Sequence, residues 1–171
     1  MSAWEIRIVG WGTAPASEFL ANEQNWRVHT REQQSAILAS IENVGLVGPC
    51  MVNLRNDEAW GIDKGIDTLI DGHCRVLLAL RKSDEQPVPY FTVDLTPDEE
   101  RIVLASYDPI GAMAVPDREK YAELVQAVES EDESILALLK ACAGDTPMPA
   151  EESYPTEEPK TITCPECGAI F

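Results

Sequence analysis

The chain has 171 residues, of which 44% are hydrophobic, and a formal net charge of −17. This length suits one domain core with an appendage, and no apolar run reaches the ~18 to 20 residues that cross a bilayer, so we expect no membrane span. The five cysteines are odd in number and no export signal precedes them, which argues against a disulfide framework and predicts a cytoplasmic protein with reduced thiols.

The negative charge is concentrated in the second half of the chain. Up to Lys82 the sequence has 10 acidic and 8 basic residues, whereas from Ser83 onward it has 20 acidic and 5 basic residues. Nucleic-acid affinity depends largely on Lys and Arg contacts to phosphates, so we expect this chain alone not to bind duplex DNA. An anionic ligand should bind the nearly neutral first half.

The hydrophobic patterns of the first half predict both strands and helices. Residues 4–9 alternate as a strand that the glycines at 10–12 would end. Thr30 and Gln33 fit a capping box that opens a helix, and Gly45 would close it. The next predicted elements are strands at 50–54 and 68–70, a helix containing residues 76–80, and a strand at 88–94.

The second half is predicted to be helical, with a separate tail. Thr96 and Glu99 fit a capping box with proline at the first helical position, and residues 108–109 would stop that helix. Two amphipathic helices follow, the second opened by a capping box at 130–133. We therefore expect a folded domain over residues 1–110, an acidic helical extension over 111–144, a flexible linker over 145–160, and a tail over 161–171.

The tail contains Cys164 and Cys167, whose spacing, followed by a glycine, is the form of a zinc knuckle. Two thiolates do not complete a tetrahedral zinc site. We expect either the same pair from a second subunit, which would make a zinc-dependent homodimer, or further ligands from Cys50, Cys142 or a histidine; a half-site without metal is the alternative. A redox role is disfavoured because no thioredoxin-like pattern precedes the pair.

A strand followed by Asp71 and Gly72 leads into a predicted helix at the centre of the chain. Such a junction presents unpaired N–H groups and the positive end of a helix dipole, which together favour an anion. Gly72 would let a phosphate approach the backbone, and Arg75 would supply a bidentate charged contact. Asp71 could cap the helix or hold a metal or a ribose hydroxyl, and His73 could contact phosphate or act as acid or base.

The remaining cysteines and the tryptophans have plainer interpretations. Cys74 could be a thiolate activated by the helix N terminus, or a small buried residue. Cys50, in a strand-like run, and Cys142, on an apolar helical stripe, predict core packing. No basic cluster accompanies the tryptophans, so packing is predicted rather than base stacking for Trp4, Trp11, Trp26 and Trp60.

The order of these motifs over residues 16–107 resembles the ParB N-terminal domain, which is grouped with sulfiredoxin. The residues 71–75, Asp-Gly-His-Cys-Arg, and the later residues 107–110 are similar to stand-alone ParB-like proteins of phages and prophages, often associated with DNA-methylase regions. The resemblance implies a mixed α/β fold, with helices packed on a mixed sheet, and a nucleotide site. The segments that carry it are 20–27, 40–45, 48–52, 69–75 and 88–90, and the implied nucleotide-binding residues are Gly72, His73, Cys74 and Arg75.

The residues after Gly72 differ from those of the better-known relatives. Partitioning ParB proteins have a Gly-Glu-Arg-Arg turn and a basic helix-turn-helix region, so CTP-gated clamping on DNA does not transfer. In sulfiredoxin the cysteine directly follows the glycine, whereas Cys74 is displaced by about 100° on a helix, which disfavours sulfinic-acid reduction. An amino-acid kinase of the same fold has an Asp-Gly-His-His-Arg turn, which leaves phosphotransfer open, with Asp71, His73 or Glu32 as catalytic groups.

Three functions are compatible with these residues. The first is a nucleotide-binding ParB-like regulatory or accessory module, related to phages or prophages and linked to DNA transactions, with Mg²⁺ as a possible companion of the nucleotide. The second is a phosphotransferase or nucleotide hydrolase at the same turn. The third is a non-enzymatic adaptor that binds a protein partner. Nuclease activity is disfavoured, because no cluster of metal-binding carboxylates lies near an Arg- and Lys-rich groove. The expected location is the cytoplasm of a bacterium or of a phage-infected host.

Overall fold

The computed structural model of the protein describes residues 3–114 and 117–143. Its strands in these residues are β1 (Ile8–Pro15), β2 (Cys50–Asn53), β3 (Thr68–Asp71) and β4 (Pro87–Val93). They form one sheet in the order β1, β4, β2, β3. β4 pairs antiparallel with β1 and parallel with β2, and β2 pairs antiparallel with β3. The predicted mixed sheet of an α/β fold is confirmed.

The helices of the described residues are α1 (Arg31–Val44), α2 (His73–Lys82), α3 (Pro97–Ala112), α4 (Arg118–Gln126) and α5 (Glu133–Ala143). Local sequence sets the ends of α1 as predicted. The Thr30 hydroxyl accepts a hydrogen bond from the Gln33 N–H at 3.2 Å, and Gly45, with a φ of 86°, ends the helix. Thr96 and Glu99 form the predicted reciprocal capping box of α3.

The sheet carries one apolar cluster on each face, because successive side chains of a strand point to opposite sides. Val52 and Leu69 pack in a cluster that includes residues of α2. Met51 and Ile70 pack in the other cluster with Leu104 of α3. Since β3 is an edge strand and continues directly into α2, the turn between them lies at the edge of the sheet.

The first strand differs from its prediction, since it begins at Ile8 and continues through the glycines that were expected to end it. A Cβ atom at Gly10 would lie 2.8 Å from Thr92 Oγ1, and one at Gly12 would lie 2.8 Å from the Tyr90 ring. These glycines therefore make room for side chains of β4. The expected packing of Trp4 is also wrong, because this residue precedes the strand and is 97% exposed.

Two helix boundaries in the second half also differ from their predictions. Pro109 does not stop α3, which continues to Ala112. This end of α3 is exposed, so the carbonyl that loses its helical partner at the proline can face solvent. α5 begins at Glu133, two residues later than a box capped by Ser130 predicts, because Asp132 Oδ1 accepts from the Ile135 N–H at 3.4 Å and so caps the helix.

The acidic helices are not isolated from the first part of the chain, because α5 contacts α1 as well as α4. The division of the chain at residue 110 stays a prediction, and α3 extends across it. The predicted linker, the predicted metal ligands Cys164 and Cys167, and the side chain of Cys142 lie outside the described residues. Among the residues that the structure does describe, no helix combines the length and the apolar character needed to cross a membrane.

Candidate functional site

The turn between β3 and α2 has a backbone that requires glycine. Gly72 is the N-cap residue of α2 and has a φ of 99°, in the left-handed region. A Cβ atom at this position would also lie 2.4 Å from the Sγ atom of Cys50, which packs directly against the turn. Among the described residues no side-chain hydrogen bond caps α2, so N–H groups of its first turn lack a side-chain acceptor.

The guanidinium group of Arg75 is fixed one turn into α2. Its Nη2 atom donates to Asp71 Oδ2 at 2.6 Å, and Nη1 donates to the Gly48 carbonyl oxygen at 3.3 Å. Gly48 is needed for this placement, because a Cβ atom there would lie 2.7 Å from Nη1. A guanidinium has more N–H donors than these two bonds use. Asp71, expected as a cap or a ligand of metal or ribose, thus holds Arg75 in place.

His73, the first residue of α2, is half-buried and has a defined hydrogen-bonding partner. Its Nε2 atom accepts from the backbone N–H of Asn22 at 3.1 Å. Burial lowers the pKa of His73, and the charge of Arg27 lowers this pKa further, whereas Asp71 raises it. The ring is therefore neutral at neutral pH, with the proton on Nδ1, because Nε2 must offer a lone pair to the N–H of Asn22.

The two cysteines near the turn are buried thiols. Cys74 is 4% exposed, and burial raises its pKa. Cys50 is fully buried as predicted, and burial raises its pKa to about 11 although the charge of Arg75 acts in the opposite direction. Neither group is an activated thiolate, so the buried interpretation of Cys74 is the one that the structure favours. Its backbone N–H remains a candidate contact for phosphate.

A buried carboxylate, which the sequence patterns did not single out, is connected to the turn through Asn22. Glu100 of α3 is 2% exposed. Its Oε1 atom accepts from Asn22 Nδ2 at 2.8 Å and from Arg55 Nη2 at 2.7 Å. Its Oε2 atom accepts from Asn53 Nδ2 at 2.7 Å. The available signal was that Glu100 and Leu104 are one helical turn apart, which puts an acid on the buried face of α3.

The largely buried guanidinium of Arg27 lies close enough to His73 to lower its pKa. The Arg27 side chain is 11% exposed, and Nε lies 2.5 Å from Asp108 Oδ2. Arg27 Nε and Nη2 are buried without a hydrogen-bond partner in the described residues, so the ion pair with Asp108 is close but not aligned as a hydrogen bond. Arg27 also stacks on Trp26, at 5.5 Å from the ring centroid.

Of the candidate residues that the structure describes, all except Glu32 lie at one turn. Asp71, Gly72, His73, Cys74 and Arg75 are consecutive around the turn. Glu32 lies in the first turn of α1 and is exposed, and the charges that shift the pKa of His73 do not include it. Its catalytic role stays a prediction. Among the described residues, no group of three or more His, Cys, Asp or Glu side chains could hold a metal ion.

Two of the solved structures that are similar to this chain are those of ParB proteins. The C-terminally truncated chromosome-partitioning protein ParB from Caulobacter crescentus, complexed with CTP-gamma-S, is 19% identical with a TM-score of 0.51, and the match covers 77% of this chain and 71% of that chain. A Pnob8-like ParB-N domain is 13% identical with a TM-score of 0.46, and the match covers 82% of this chain and 50% of that one. No protein-family model and no curated protein matches the chain. The likeness to the Caulobacter protein supports the expected fold, which is like that of the ParB N-terminal domain.

Proposed function

We propose that this chain is a ParB-like nucleotide-binding module and that the turn from Asp71 to Arg75 holds the phosphates of the nucleotide. The observation that carries the proposal is the uncapped N terminus of α2 at Gly72, with a guanidinium fixed beside it. Backbone N–H groups at a helix N terminus and guanidinium groups both bind phosphate oxygens. The complex of the Caulobacter fold neighbour with CTP-gamma-S supports the same class of ligand.

Each residue of the turn has a distinct role in this proposal. Gly72 supplies the left-handed backbone conformation from which α2 begins, and the N–H groups of His73 and Cys74 donate to a phosphate oxygen. Arg75 donates from the N–H groups that its bonds to Asp71 and Gly48 leave unused. A Mg²⁺ ion that accompanied the nucleotide would be bound largely by phosphate oxygens and water, as this ion commonly is.

Binding is proposed in preference to catalysis because the candidate general bases, Asp71 and His73, already have hydrogen-bonding partners within the protein. The carboxylate of Asp71 is ion-paired with Arg75, and the lone pair of His73 Nε2 accepts from Asn22. A general base must reach the proton that it removes, so neither group is free for that role in this arrangement. A phosphotransferase or hydrolase would need another base, for which Glu32 stays the candidate.

The proposed module is a regulatory or accessory factor near DNA transactions, of the phage or prophage type that the residues at the turn resemble. The excess of acidic residues in the second half supports action through a partner rather than through direct contact with duplex DNA. A protein partner or a second copy of this chain would supply that link.

We also propose that Cys164 and Cys167 bind zinc, on the basis of their spacing. Two local thiolates leave the tetrahedral site incomplete, so the same pair from a second subunit would complete it most simply. Elemental analysis with light scattering before and after chelation tests this assignment. Zinc at half the protomer concentration in a dimer is expected, and metal content that Cys164→Ser leaves unchanged would contradict it.

Calorimetry with CTP, ATP, GTP and UTP in the presence of Mg²⁺ tests the nucleotide proposal. Arg75→Ala removes a charge-assisted contact, which should weaken binding about 10- to 150-fold. Arg81→Ala is the matched control, since it removes an arginine from the last turn of the same helix and should change affinity less than about twofold. Thermal melts of both variants check that they remain folded.

The proposal fails if none of the four nucleotides binds at millimolar concentration. It also fails if Arg75→Ala and Arg81→Ala lower the affinity equally, because the effect would then reflect net charge rather than the turn.

A further inference from the structure

We infer that Glu100 and Asn22 are positioning residues for His73, which they hold so that its ring offers Nδ1–H as a hydrogen-bond donor beside the N terminus of α2. Neither residue belongs to the turn that is proposed to contact the nucleotide. The positioning itself rests on contacts within the protein, whereas the use of the Nδ1–H donor by a ligand rests on the proposed function.

The tautomer of His73 follows from the nature of its partner. The backbone N–H of Asn22 can only donate, so the Nε2 atom that lies 3.1 Å from it must accept. A neutral imidazole carries its proton on the other nitrogen when one nitrogen accepts. The ring in this structure is therefore the Nδ1–H tautomer, which is the less favoured one for a free histidine side chain in water.

Asn22 can impose this tautomer because both polar atoms of its side-chain amide are hydrogen-bonded, which fixes the position of its backbone N–H. Asn22 is 3% exposed, and its Nδ2 atom donates to Glu100 Oε1 at 2.8 Å. Its Oδ1 atom accepts from the Gln24 N–H at 2.9 Å, which closes a local turn. The direction of the Asn22 N–H, and hence the orientation of the His73 ring, is thus tied to the carboxylate of Glu100.

Glu100 is itself fixed, because other elements satisfy its remaining acceptor positions. Arg55 binds it with two nitrogen atoms, at 2.7 and 3.3 Å, and stacks over the Trp60 ring at 4.3 Å from the centroid. Asn53 of β2 donates to it at 2.7 Å. Buried charge-assisted hydrogen bonds of this kind hold a carboxylate in one orientation. The contacts therefore run from α3 and β2, through Asn22, to the first residue of α2.

The Nδ1–H group of His73 lies at the end of the hydrogen-bonded series that runs from Glu100 through Asn22 to the His73 ring. Among the described residues it has no hydrogen-bond partner, although the half-buried ring lies at the turn. The charged groups that act on the ring are Arg27, Asp71 and His29. An N–H donor next to open backbone N–H groups suits an anionic oxygen, which is the chemistry of a phosphate.

Nitrogen-15 NMR of the imidazole rings tests the positioning directly. The chain has two histidines, so His29→Gln leaves a spectrum of His73 alone. At roughly pH 8, where the ring is neutral, the wild-type side chain should be predominantly the Nδ1–H tautomer. A ring that is predominantly the Nε2–H tautomer would overturn the inference, and this measurement needs no variant of the positioning residues.

Asn22→Ala tests the link to Glu100. Loss of the side-chain anchor should shift the tautomer ratio about threefold to tenfold toward Nε2–H, the equivalent of one weakened hydrogen bond. Glu100→Gln keeps an oxygen that can accept from Asn22 and should shift it less. Asn25→Ala is the control, because Asn25 lies in the same loop but bonds the Arg27 N–H instead. An unchanged ratio in Asn22→Ala would overturn the positioning role.

Titration with CTP and Mg²⁺ separates this inference from the proposed function. A ligand that accepts from Nδ1–H should shift the Nδ1 resonance of His73. Saturable binding without that shift would show that the Nδ1–H group does not donate to the ligand. If no nucleotide binds while the tautomer responds to Asn22→Ala as expected, the proposed function fails and the positioning stands.

Discussion

Gly72 determines the geometry of the candidate site at the level of a single residue. Its left-handed φ of 99° and its contact with Cys50 each exclude a side chain, for independent reasons. Gly65 separates the two effects, because it has a φ of 76° but no atom within 4 Å of the position that a Cβ atom would take.

We predict that Gly72→Ala lowers the free energy of unfolding by about 2 to 5 kcal/mol, the sum of the backbone and overpacking costs. Gly65→Ala should lower it by only about 1 to 2 kcal/mol, since the backbone cost alone applies. Urea denaturation of the two variants measures the difference. Equal losses would mean that close packing against Cys50 contributes nothing.

Cys50 gives the stability a specific dependence on alkaline pH. Its folded-state pKa is about 11, raised from an ordinary value of 9.0. Below pH 9 the thiol is protonated in both the folded and the unfolded state, and the contribution of Cys50 to the free energy of unfolding is complete. As pH rises through the folded-state pKa this contribution is lost, because the unfolded thiol ionises first.

We therefore predict that wild-type protein loses about 2 kcal/mol more stability than Cys50→Ala between pH 9 and 11. The variant starts less stable because it leaves a cavity, so the slopes and not the absolute values are compared. Parallel pH profiles would show that the Cys50 thiol does not titrate abnormally.

At the scale of elements, the helices were easier to predict than the strands because their start signals are local. Thr30 and Thr96 mark helix starts through contacts with residues three positions away. Gly10 and Gly12 are of a residue type that favours turns. A strand continues through them because side chains of the neighbouring strand β4 occupy the space that Cβ atoms would take.

We predict that Gly12→Ala destabilises the protein by about 1 to 3 kcal/mol, because the new Cβ would overlap the Tyr90 ring. In a Tyr90→Ala background the same substitution should cost less than about 1 kcal/mol. A double-mutant cycle measures this coupling. A cost that is the same in both backgrounds would contradict the close-approach explanation of the β1 glycines.

The candidate site divides in the same way into local and distant parts. The turn from Asp71 to Arg75 could be predicted because its residues are consecutive and carry a recognisable pattern. Glu100 and Asn22 could not, because they are 78 positions apart and the hydrogen bond between them depends on the tertiary fold. The helical spacing of Glu100 and Leu104 places an acid on the buried face of α3, but it does not identify the residues that neutralise this acid.

At the scale of the whole molecule, charge limits the partners that the chain can bind. The net charge is −17, and the acidic excess lies mainly after Ser83. The contact of α5 with α1 brings part of that acidic half onto the first half of the fold. A polyanion must therefore approach against repulsion that no compensating run of basic residues offsets.

We predict no measurable binding of duplex DNA by the isolated chain at about 150 mM salt. Fluorescence anisotropy with a labelled duplex, repeated in the presence of CTP and Mg²⁺, is the measurement. Submicromolar, salt-sensitive binding in either condition would mean that a basic surface is assembled in a way that the charge distribution does not suggest.

The central claim is that a nucleotide binds at the N terminus of α2, and a backbone amide NMR titration with CTP and Mg²⁺ tests it most directly. We predict saturable shifts that are largest for the N–H groups of residues 72–75, because these groups would donate to phosphate oxygens. Arg75→Ala should reduce them, and Arg81→Ala should leave them unchanged. Shifts that are largest elsewhere, or no saturable shift with any of the four nucleotides, would contradict the account.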